Sequence, residues 1–570
     1  MTHSYSRLIL SFALIALLAA CGSNAQLSTS KVTIAVSSGK NASSAPAISK
    51  AAPVISSLSL MIIVTAPDMD TITHGPISLA STTSGSVISE TIVVPNGNNR
   101  TFTAVLADSA GVPAYSGFAT ADLAGTPISL DISVGPLFLT GTRLIGTNQA
   151  ESGSAIARDK SGNIFVAGLT YGDLTNPLSS PTSSTSNAFV MKFDISGAPL
   201  WTRQFSPSLA TTQTPTLSTA AFGAAADANG NVIVVGLTGV NLFETTDYHG
   251  SADCFVTKLD GTGRELWTKL IGGAGDDFCN AVTVDNSGNV FVTGQIDSAP
   301  TTTAGNNDVL VAKFDPSGNQ LWLTQYGTSA TDSGTALAVD TTGNTYVVGY
   351  TLGTFASNTS AGSEDAFITK LDGAGNIITT NQGGSPDIDM ATAISIDNTS
   401  GMIYVAGTTY GTVGTPVNSN PIDTTGSSSD IFVVKFDSSL SNPLATWQIG
   451  SAGIVSAITG TVVPSNDAAQ GIAVDAAGNV FVTGSTNGVF SGNTNAGGYD
   501  SVVIKLQPTG TVEWYRQLGT AGDDNGSAIV IDNKGNALVT GTTDGNFDGI
   551  TGFGMSDVFL MSYDTNGVKY

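Results

Sequence analysis

Apolar and polar residues alternate in short runs along most of this chain from about residue 56 onward. Ser57 to Ala66, Val87 to Val94 and Thr101 to Asp108 are such runs, and turn-forming residues such as Pro95-Asn-Gly-Asn98 separate them. Alternation with a period of two over a short run predicts a half-buried β-strand. We therefore predict an all-β protein.

A phrase of about ten residues recurs seven times in the C-terminal three quarters of the chain. It contains Asp, two variable residues, Gly, Asn or a close variant, and a β-branched run that ends in Gly, as in Asp285 to Gly294. Successive copies are 55 to 78 residues apart and begin at Asp159, Asp227, Asp285, Asp340, Asp397, Asp475 and Asp532. A period of this size indicates one supersecondary unit that stacks on copies of itself.

Each copy carries four strand signals joined by hairpin turns. The first strand ends at the opening Asp, and the second is the β-branched run. The third follows the pattern Asp-x-Phe-Val-x-Lys-Leu-Asp, as in Asp253 to Asp260, and the fourth opens with Trp, as in Trp267 to Gly272. Four antiparallel strands per unit are typical of a β-propeller blade.

Two features favour a closed propeller over an open solenoid. The position four residues before each opening Asp holds only Ala or Gly, which suits a crowded axis. The last copy ends at Tyr570, where its fourth strand should begin. Gly141 to Gly146 matches the fourth strand of the second copy, Trp267 to Gly272, at five of six positions, four identical and one with Arg143 in place of Lys269. Because pairing would also cover two open sheet edges, we predict a seven-bladed propeller over residues 137–570, closed by this N-terminal strand.

The N-terminal quarter predicts an export signal, a tether and a small domain. Residues 1–20 have the features of a signal peptide, because Arg7 is followed by the apolar run Leu8 to Leu18. Leu18-Ala-Ala-Cys21 resembles the lipobox of bacterial lipoproteins. That resemblance implies a lipid on Cys21. Residues 21–55 are predicted to be a Ser- and Ala-rich tether with one strand at 31–37, and residues 56–135 a small immunoglobulin-like β-sandwich.

Charge narrows the range of partners. The formal net charge is −24, although only 11% of the residues are charged. An acidic chain is unsuited to nucleic acid or to anionic lipid, so we expect no nucleic-acid partner and membrane contact only through the lipid anchor. Gly22 after the modified Cys favours the outer membrane, by analogy with lipoprotein sorting in Gram-negative bacteria.

The repeated motifs resemble the bacterial SBBP (seven-bladed β-propeller) repeat. The resemblance rests on the Asp-x-x-Gly-Asn-Val-Phe-Val-Thr-Gly phrase, the Asp-x-Phe-Val-x-Lys-Leu-Asp strand and the Trp-Thr-x-x-x-Gly-Gly segment. Two copies depart from it, since Thr379 replaces the Trp and the fifth phrase has an extra residue at Thr399 to Gly401. The resemblance implies a propeller outside the cytoplasm and implies no catalytic residues.

Three repeated residue types have structural interpretations. The opening Asp and its Gly-Asn fit hairpin turns better than seven calcium sites, because one carboxylate per turn is a poor ligand set. We predict that the five Trp residues form one column, which we interpret as packing between blades rather than sugar stacking: Trp201, Trp267, Trp322, Trp447 and Trp514. The Lys column is interpreted as pairing with repeat carboxylates: Lys192, Lys258, Lys313, Lys370, Lys435 and Lys505.

Three isolated sites remain. Asp544, Asn546 and Asp548 match the start of a calcium loop, but Met555 stands where the bidentate Glu should be. We therefore expect no cofactor, with Ca²⁺ here as the alternative. Cys254 and Cys279 could face one another between adjacent units, and two buried thiols are favoured over a disulfide. His249, near Ser251 and Asp253, is the one His of the propeller region and gives no catalytic triad.

The leading hypothesis is a non-enzymatic cell-surface or outer-membrane lipoprotein. Its propeller would bind a protein or a glycan through the variable loops that follow each second strand. The alternatives are a quinoprotein-like or lyase-like propeller enzyme and a purely structural envelope component.

Overall fold

The computed structural model describes two compact units within the chain. The described residues are 29–38, 58–66, 69–79, 87–107, 113–124, 126–136, 139, 141–175, 185–205, 218–239, 242, 251–297, 307–416, 428–455 and 462–570. The signal peptide, Cys21 and His249 lie outside them. Within the described part of the chain, no helix has both the length and the hydrophobicity needed to cross a membrane.

The N-terminal unit is built from seven strands. They are β1 (Thr29–Ser38), β2 (Leu58–Ala66), β3 (Met69–Leu79), β4 (Val87–Pro95), β5 (Gly97–Ala107), β6 (Pro113–Leu123) and β7 (Ile128–Pro136). Their hydrogen-bonded order is β3-β2-β5-β6-β7-β1-β4. Alternate residues such as Val32, Ile34, Leu60 and Phe102 are buried in one core, as the period-two pattern predicts.

The strand expected inside the tether is part of this unit. β1 pairs with β4 in antiparallel fashion and with β7 in parallel fashion. The sequence boundary at residue 56 did not anticipate this pairing, because the long Ser- and Ala-rich segment between β1 and β2 resembles a linker. The immunoglobulin-like classification stays a prediction.

The described residues of the second unit form seven sheets of four or five strands, which we number in chain order, and one separate two-stranded hairpin. Sheets 1 to 3 are β9 to β12 (Glu151–Arg158, Ile164–Thr170, Asn187–Phe193, Pro199–Phe205), β13 to β16 (Thr219–Ala226, Val232–Thr238, Asp253–Leu259, Glu265–Ile271) and β17 to β20 (Phe278–Val284, Val290–Ile296, Asp308–Phe314, Gln320–Tyr326). Sheet 4 is β21 to β24 (Asp332–Val339, Thr345–Thr351, Asp365–Leu371, Ile377–Gly383).

Sheets 5 to 7 vary this plan. Sheet 5 is β25 to β29 (Asp389–Asp397, Met402–Thr409, Thr415–Pro416, Asp430–Phe436, Ala445–Ile449), with the short β27 added beside β29. A hairpin of β30 (Ile454–Val455) and β31 (Val462–Val463) precedes sheet 6, which is β32 to β35 (Asp467–Val474, Val480–Thr486, Asp500–Leu506, Val512–Leu518). Sheet 7 is β36 to β38 (Asp524–Ile531, Ala537–Thr543, Asp557–Tyr563) together with β8 (Arg143–Ile145).

The pairing of β8 with β38 is the one that the sequence predicted for the strand around Gly141 to Gly146. The first strand of each sheet contacts the first strand of the next, and β36 of sheet 7 contacts β9 of sheet 1. At Gly223 a Cβ atom would lie 3.1 Å from the Ala281 Cα of the next sheet. The small-residue column therefore faces the neighbouring sheet, as predicted.

The position that ends each repeated phrase requires Gly because of close backbone packing, which the sequence did not reveal. Every first strand contains a β-bulge, as between Gly334 and Ala336 in sheet 4. The bulge presses the carbonyl oxygen of Ser333 toward the second strand, so a Cβ at Gly349 would lie 1.9 Å from that oxygen. Only glycine permits the two backbones to approach this closely.

Candidate functional site

The repeated Asp residues form hairpin turns, as predicted. In the third copy, the Asp285 carboxylate accepts hydrogen bonds from the backbone N–H groups of Ser287 and Asn289 and from the Asn289 side chain. Gly288 has φ of 82°, which explains the glycine at this position. Since both carboxylate oxygens accept hydrogen bonds within the turn, these Asp residues stabilise the hairpin turn itself.

The Trp residues pack against the turn between the third and fourth strands of the following sheet. Trp201 Nε1 donates to the Gly261 carbonyl oxygen at 3.0 Å, and its ring lies against Gly263. Trp267, Trp322 and Trp514 make equivalent hydrogen bonds. The ring faces are therefore engaged in packing between sheets, which supports the structural interpretation.

Trp447 does not belong to the same column, which corrects the sequence alignment. In the other sheets the repeated Lys pairs with Trp or with Thr379, whereas Lys435 pairs with Ala445. The turn of sheet 5 is longer, which moves Trp447 two positions along its strand. Its ring nevertheless lies against Gly510 of the next sheet, so it performs the same packing from a different register.

The Lys side chains of the column are buried or half-buried, and Lys192, Lys258 and Lys505 are the buried ones. Lys258 lies 2.9 Å from the Asp227 carboxylate, and Lys192 lies 3.9 Å from Asp159. The ammonium of Lys192 also lies over the Phe165 ring. For these two residues the pairing agrees with the interpretation from the sequence, whereas Lys370 and Lys435 donate to the carbonyl oxygens of Ser438 and Pro508. In sheet 7 Ser562 takes the Lys position and donates to the Leu139 carbonyl oxygen.

Arg143 of β8 links sheet 7 to sheet 1. Its guanidinium donates to the carbonyl oxygens of Gly197 at 3.1 Å and Ser196 at 3.2 Å. Arg516 of sheet 6 reaches the corresponding turn carbonyls of sheet 7. The strand that completes sheet 7 therefore also supplies the contact to the next turn.

A Gln column on the fourth strands was missed by the sequence analysis. Gln382 Nε2 donates to Gly353 O at 2.9 Å and to Asp365 Oδ2 at 2.8 Å, while its Oε1 accepts from Phe355 N at 2.9 Å. Gln448 and Gln517 make the same three kinds of bond. The signal was present as a Gln three residues after Trp, as in Trp514 and Gln517.

These Gln residues hold the loop between the second and third strands. The loop of sheet 4 then folds back along the outer strand, where Asn358 Nδ2 donates to Thr380 O and Asn358 Oδ1 accepts from Gln382 N. Asn493 makes the same contacts to sheet 6. The loops of residues 352–364 and 487–499 therefore cover the outer edges of their own sheets, which protects unpaired strand groups.

Buried carboxylates meet where consecutive sheets join. They form pairs. One carboxylate of each pair comes from the start of a third strand, and the other comes from the start of the first strand of the next sheet. We call these residues the carboxylate belt: Asp253 and Asp277, Asp308 and Asp332, Asp365 and Asp389, Asp430 and Asp467, Asp500 and Asp524, and Asp557 and Glu151. All except Asp277, which directly precedes its strand, are first residues of strands.

Burial dominates the electrostatics of the belt. It raises the pKa of Asp332, Asp389 and Asp524, and in each case the facing carboxylate adds to the rise. Burial raises the pKa of Asp467 to about 7, with a further contribution from Asp430. The pKa of Asp557 is raised to about 6 by burial and by Glu151. The pKa of each of these carboxyl groups is therefore higher than that of an ordinary aspartate.

The residues of the calcium motif make local contacts. The Asp548 carboxylate contacts the Lys569 ammonium and the Thr142 hydroxyl, and Asn546 Oδ1 accepts a hydrogen bond from Gly552 N at 3.1 Å. No group of three or more His, Cys, Asp or Glu residues with metal-binding geometry exists among the described residues. The calcium alternative stays a prediction, and the geometry favours a contact that fastens β8 to sheet 7.

Cys254 and Cys279 form a disulfide between the third strand of sheet 2 and the first strand of sheet 3. Their Cα atoms are 5.0 Å apart, which is normal for such a bond. The prediction that these residues could face one another between units is confirmed. The favoured interpretation as two free thiols was wrong. Ser251 and Asp253 lie next to this bond, and Asp253 belongs to the carboxylate belt.

An aliphatic side chain at one fixed register position is exposed on, or directly before, the fourth strand of each of sheets 1 to 5. Each precedes the residue that pairs with the repeated Lys, and its exposed fraction is 44–55%. We call them the rim row: Leu200, Leu266, Leu321, Ile378 and Leu444. Sheet 6 has Glu513 there, which pairs with Lys505 at 2.8 Å.

Comparison with solved structures finds distant resemblances. Sqt1 of Chaetomium thermophilum, bound to the N-terminus of the ribosomal protein L10, is 11% identical, with a TM-score of 0.38 and coverage of 75% of this chain and 87% of that one. A mutant NanB sialidase from Streptococcus pneumoniae is 9% identical, with a TM-score of 0.35 and coverage of 90% and 95%. At these values the resemblance carries no functional argument.

The repeat itself identifies the family. No curated protein sequence matches the chain. The family model of the SBBP beta-propeller repeat matches residues 141–175, 266–300, 321–356, 448–491 and 513–548. Each match runs from a fourth strand through the next hairpin, and the first includes β8. The chain therefore contains SBBP β-propeller repeats in five segments.

Proposed function

We propose that this protein is a non-enzymatic binding scaffold whose seven sheets form a closed seven-bladed propeller. The proposal of closure is supported by the pairing of β8 with β38 and by the contact of β36 with β9. We also propose that lipid on Cys21 holds the chain at the cell envelope, with the immunoglobulin-like domain between anchor and propeller. The motif Leu18-Ala-Ala-Cys21 supports that anchor.

The repeated polar and aromatic side chains support a structural scaffold. The turn Asp residues, Lys column and Gln column bond within the protein, and the Trp rings pack on neighbouring turns. A site that recognises glycans by stacking needs exposed aromatic faces. Since each Trp ring packs against a glycine of a neighbouring turn, we propose a protein partner in preference to a glycan.

The rim row is the observation that carries this proposal. Exposed Leu or Ile recurs at one register position in five consecutive sheets of a protein whose other repeated positions are buried or polar. A long aliphatic side chain gains up to about 2 kcal/mol from full burial in an interface. Repeated units that each present one such side chain offer a partner several equivalent contacts along the outer strands.

The test uses the full chain and a variant with Leu200→Ser, Leu266→Ser and Leu321→Ser. Both serve as bait for envelope proteins, and captured proteins are quantified by mass spectrometry. The control is Leu352→Ser, which replaces an exposed Leu outside the rim row. We expect the triple variant to lose its specific partner while the control retains it. Equal capture by all three proteins would refute binding through the rim row.

A further inference from the structure

The carboxylate belt contains more buried carboxyl groups than the neighbouring hydrogen-bond donors and positive charges can stabilise in their ionised form. Seven of its members have an Oδ1 atom without a hydrogen-bond partner among the described residues, and their exposed fractions are 0–2%: Asp332, Asp365, Asp389, Asp467, Asp500, Asp524 and Asp557. None of these seven makes a described ion pair with Lys or Arg. An isolated buried carboxylate is costly, and two at one junction are more so.

Backbone packing leaves little space for a metal ion between the carboxylates. Gly327 lies at the junction of sheets 3 and 4, where a Cβ would be 2.2 Å from Asp308 Oδ1 and 2.7 Å from Asp332 Oδ2. Gly272 and Gly146 lie in the same way at other junctions. The glycine backbone therefore packs against both carboxylates, and a bridging Ca²⁺ with six or more oxygen ligands would crowd that backbone. A proton fits without displacing the backbone.

We propose that one carboxyl group at each of several belt junctions remains protonated at mildly acidic pH, which makes the propeller a pH-responsive assembly whose sheet junctions loosen as these protons leave. The argument is clearest at three junctions. Asp467 is faced by Asp430 of the preceding sheet, Asp389 by Asp365, and Asp332 by Asp308. The other groups that act on them are hydroxyl and backbone groups of Ser and Thr, and Tyr326 interacts with Asp332. Burial raises the pKa of Tyr326, so none of these groups is charged at mildly acidic pH.

The direction of the effect follows from linkage. The folded state holds a proton on Asp467 up to pH of about 7, whereas an ordinary unfolded aspartate loses it near pH 4. Between these values the folded state binds more protons than the unfolded state, so stability falls as pH rises. Each such group changes the folding equilibrium constant about tenfold per pH unit inside its window. Above the folded pKa the loss is complete.

The belt is also connected to the loops. Asp365 Oδ2 accepts a hydrogen bond from Ala361 N at 3.0 Å, and Asp500 Oδ2 accepts from Ala496 N at 2.9 Å. These donors belong to the loops that cover the outer edges of sheets 4 and 6. Repulsion between two ionised carboxylates at a junction would therefore displace the loop attachment together with the strand starts.

The experiment compares the full chain with Asp467→Asn, which imitates a permanently uncharged carboxyl group. Infrared spectra across pH 5 to 9 would record the carbonyl stretch of protonated carboxyl groups. Urea unfolding would be measured at the same pH values. Asp372→Asn is the control, because Asp372 lies in an exposed turn and the pKa of its carboxyl is lowered by hydrogen bonds from Asn376.

We expect the native chain to show a protonated-carboxyl band near pH 6 that disappears by pH 9, and to unfold at lower urea concentration as pH rises. Asp467→Asn should lose part of the band. Its folding equilibrium constant should also change less steeply with pH than that of the native chain, by about tenfold per pH unit. Asp372→Asn should retain both. Absence of the band at pH 6 would refute the proposal, as would identical pH dependence in the native chain and Asp467→Asn.

A calcium titration distinguishes the two ways of neutralising the belt. If the junctions hold protons, millimolar Ca²⁺ leaves the urea midpoint at pH 8 unchanged. A rise in that midpoint that Asp467→Asn abolishes would identify the junctions as cation sites and overturn the proton assignment. The infrared arm does not depend on any partner, so its failure would leave the binding proposal for the rim row untouched.

Discussion

Gln382→Leu is the substitution that best tests how the loops are held. Gln382 makes three hydrogen bonds at 2.8–2.9 Å, two to the backbone of the loop and one to the buried Asp365 carboxylate. Leucine has a similar volume and occurs naturally at the same register position in sheet 2 as Leu270. The change therefore removes the hydrogen bonds without leaving a large cavity.

The expected cost follows from the groups left unpaired. Each buried polar group that loses its partner costs about 1–3 kcal/mol. Opening of the loop lets water reach Phe355 N and Gly353 O, so part of the cost appears as local opening rather than global unfolding. We expect the loop to become less stable by about 3 kcal/mol, which corresponds to about 100-fold faster hydrogen exchange.

The assay is hydrogen exchange of residues 352–364 by mass spectrometry, together with the urea midpoint of the full chain. Gln320→Leu is the matched control, because Gln320 is exposed on a fourth strand of the adjacent sheet. The control should exchange like the native chain. If Gln382→Leu protects the loop as well as the control does, the Gln column does not anchor the loops and the reasoning fails.

Three further predictions concern the joints between sheets. Arg143→Ala should destabilise the chain by about 2 kcal/mol, because two turn carbonyls of sheet 1 lose their donor, and a lower urea midpoint would show this. Replacing both Cys254 and Cys279 with Ser should cost about 3 kcal/mol through the freed loop of the unfolded chain, and an unchanged midpoint would contradict it. Gly349→Ala should lower the melting temperature strongly, whereas Gly383→Ala, with nothing within 4 Å of the new Cβ, should not.

The repeated turns were predictable because their chemistry is local. In Asp285 to Asn289 the carboxylate, its donors and the glycine lie within five residues, so the pattern contains the whole structure. The pairing of β8 with β38 was also predictable, although the strands are far apart, because the missing fourth strand and its surplus copy have nearly the same sequence. The repeated sequence therefore allowed a long-range strand pairing to be predicted.

Trp447 shows where repetition misleads. It is the residue type expected in the column, but the longer turn of sheet 5 shifts its hydrogen-bond register by two residues. A count of motif residues cannot detect such a shift. The register depends on which backbone groups pair, and the turn length decides that.

The sequence by itself determined the strand pattern, the seven hairpin turns and the strand that completes the last sheet. Each of these depends on residues close together in the chain or on near-identical copies. Only the tertiary structure decided that the Asp365 and Asp389 carboxylates meet in a buried junction, and that Gln382 holds a loop. The reason is physical. A single Asp at a strand start looks like an ordinary polar residue, and it becomes an electrostatic constraint only when the next sheet brings a second carboxylate to it and removes the water from both.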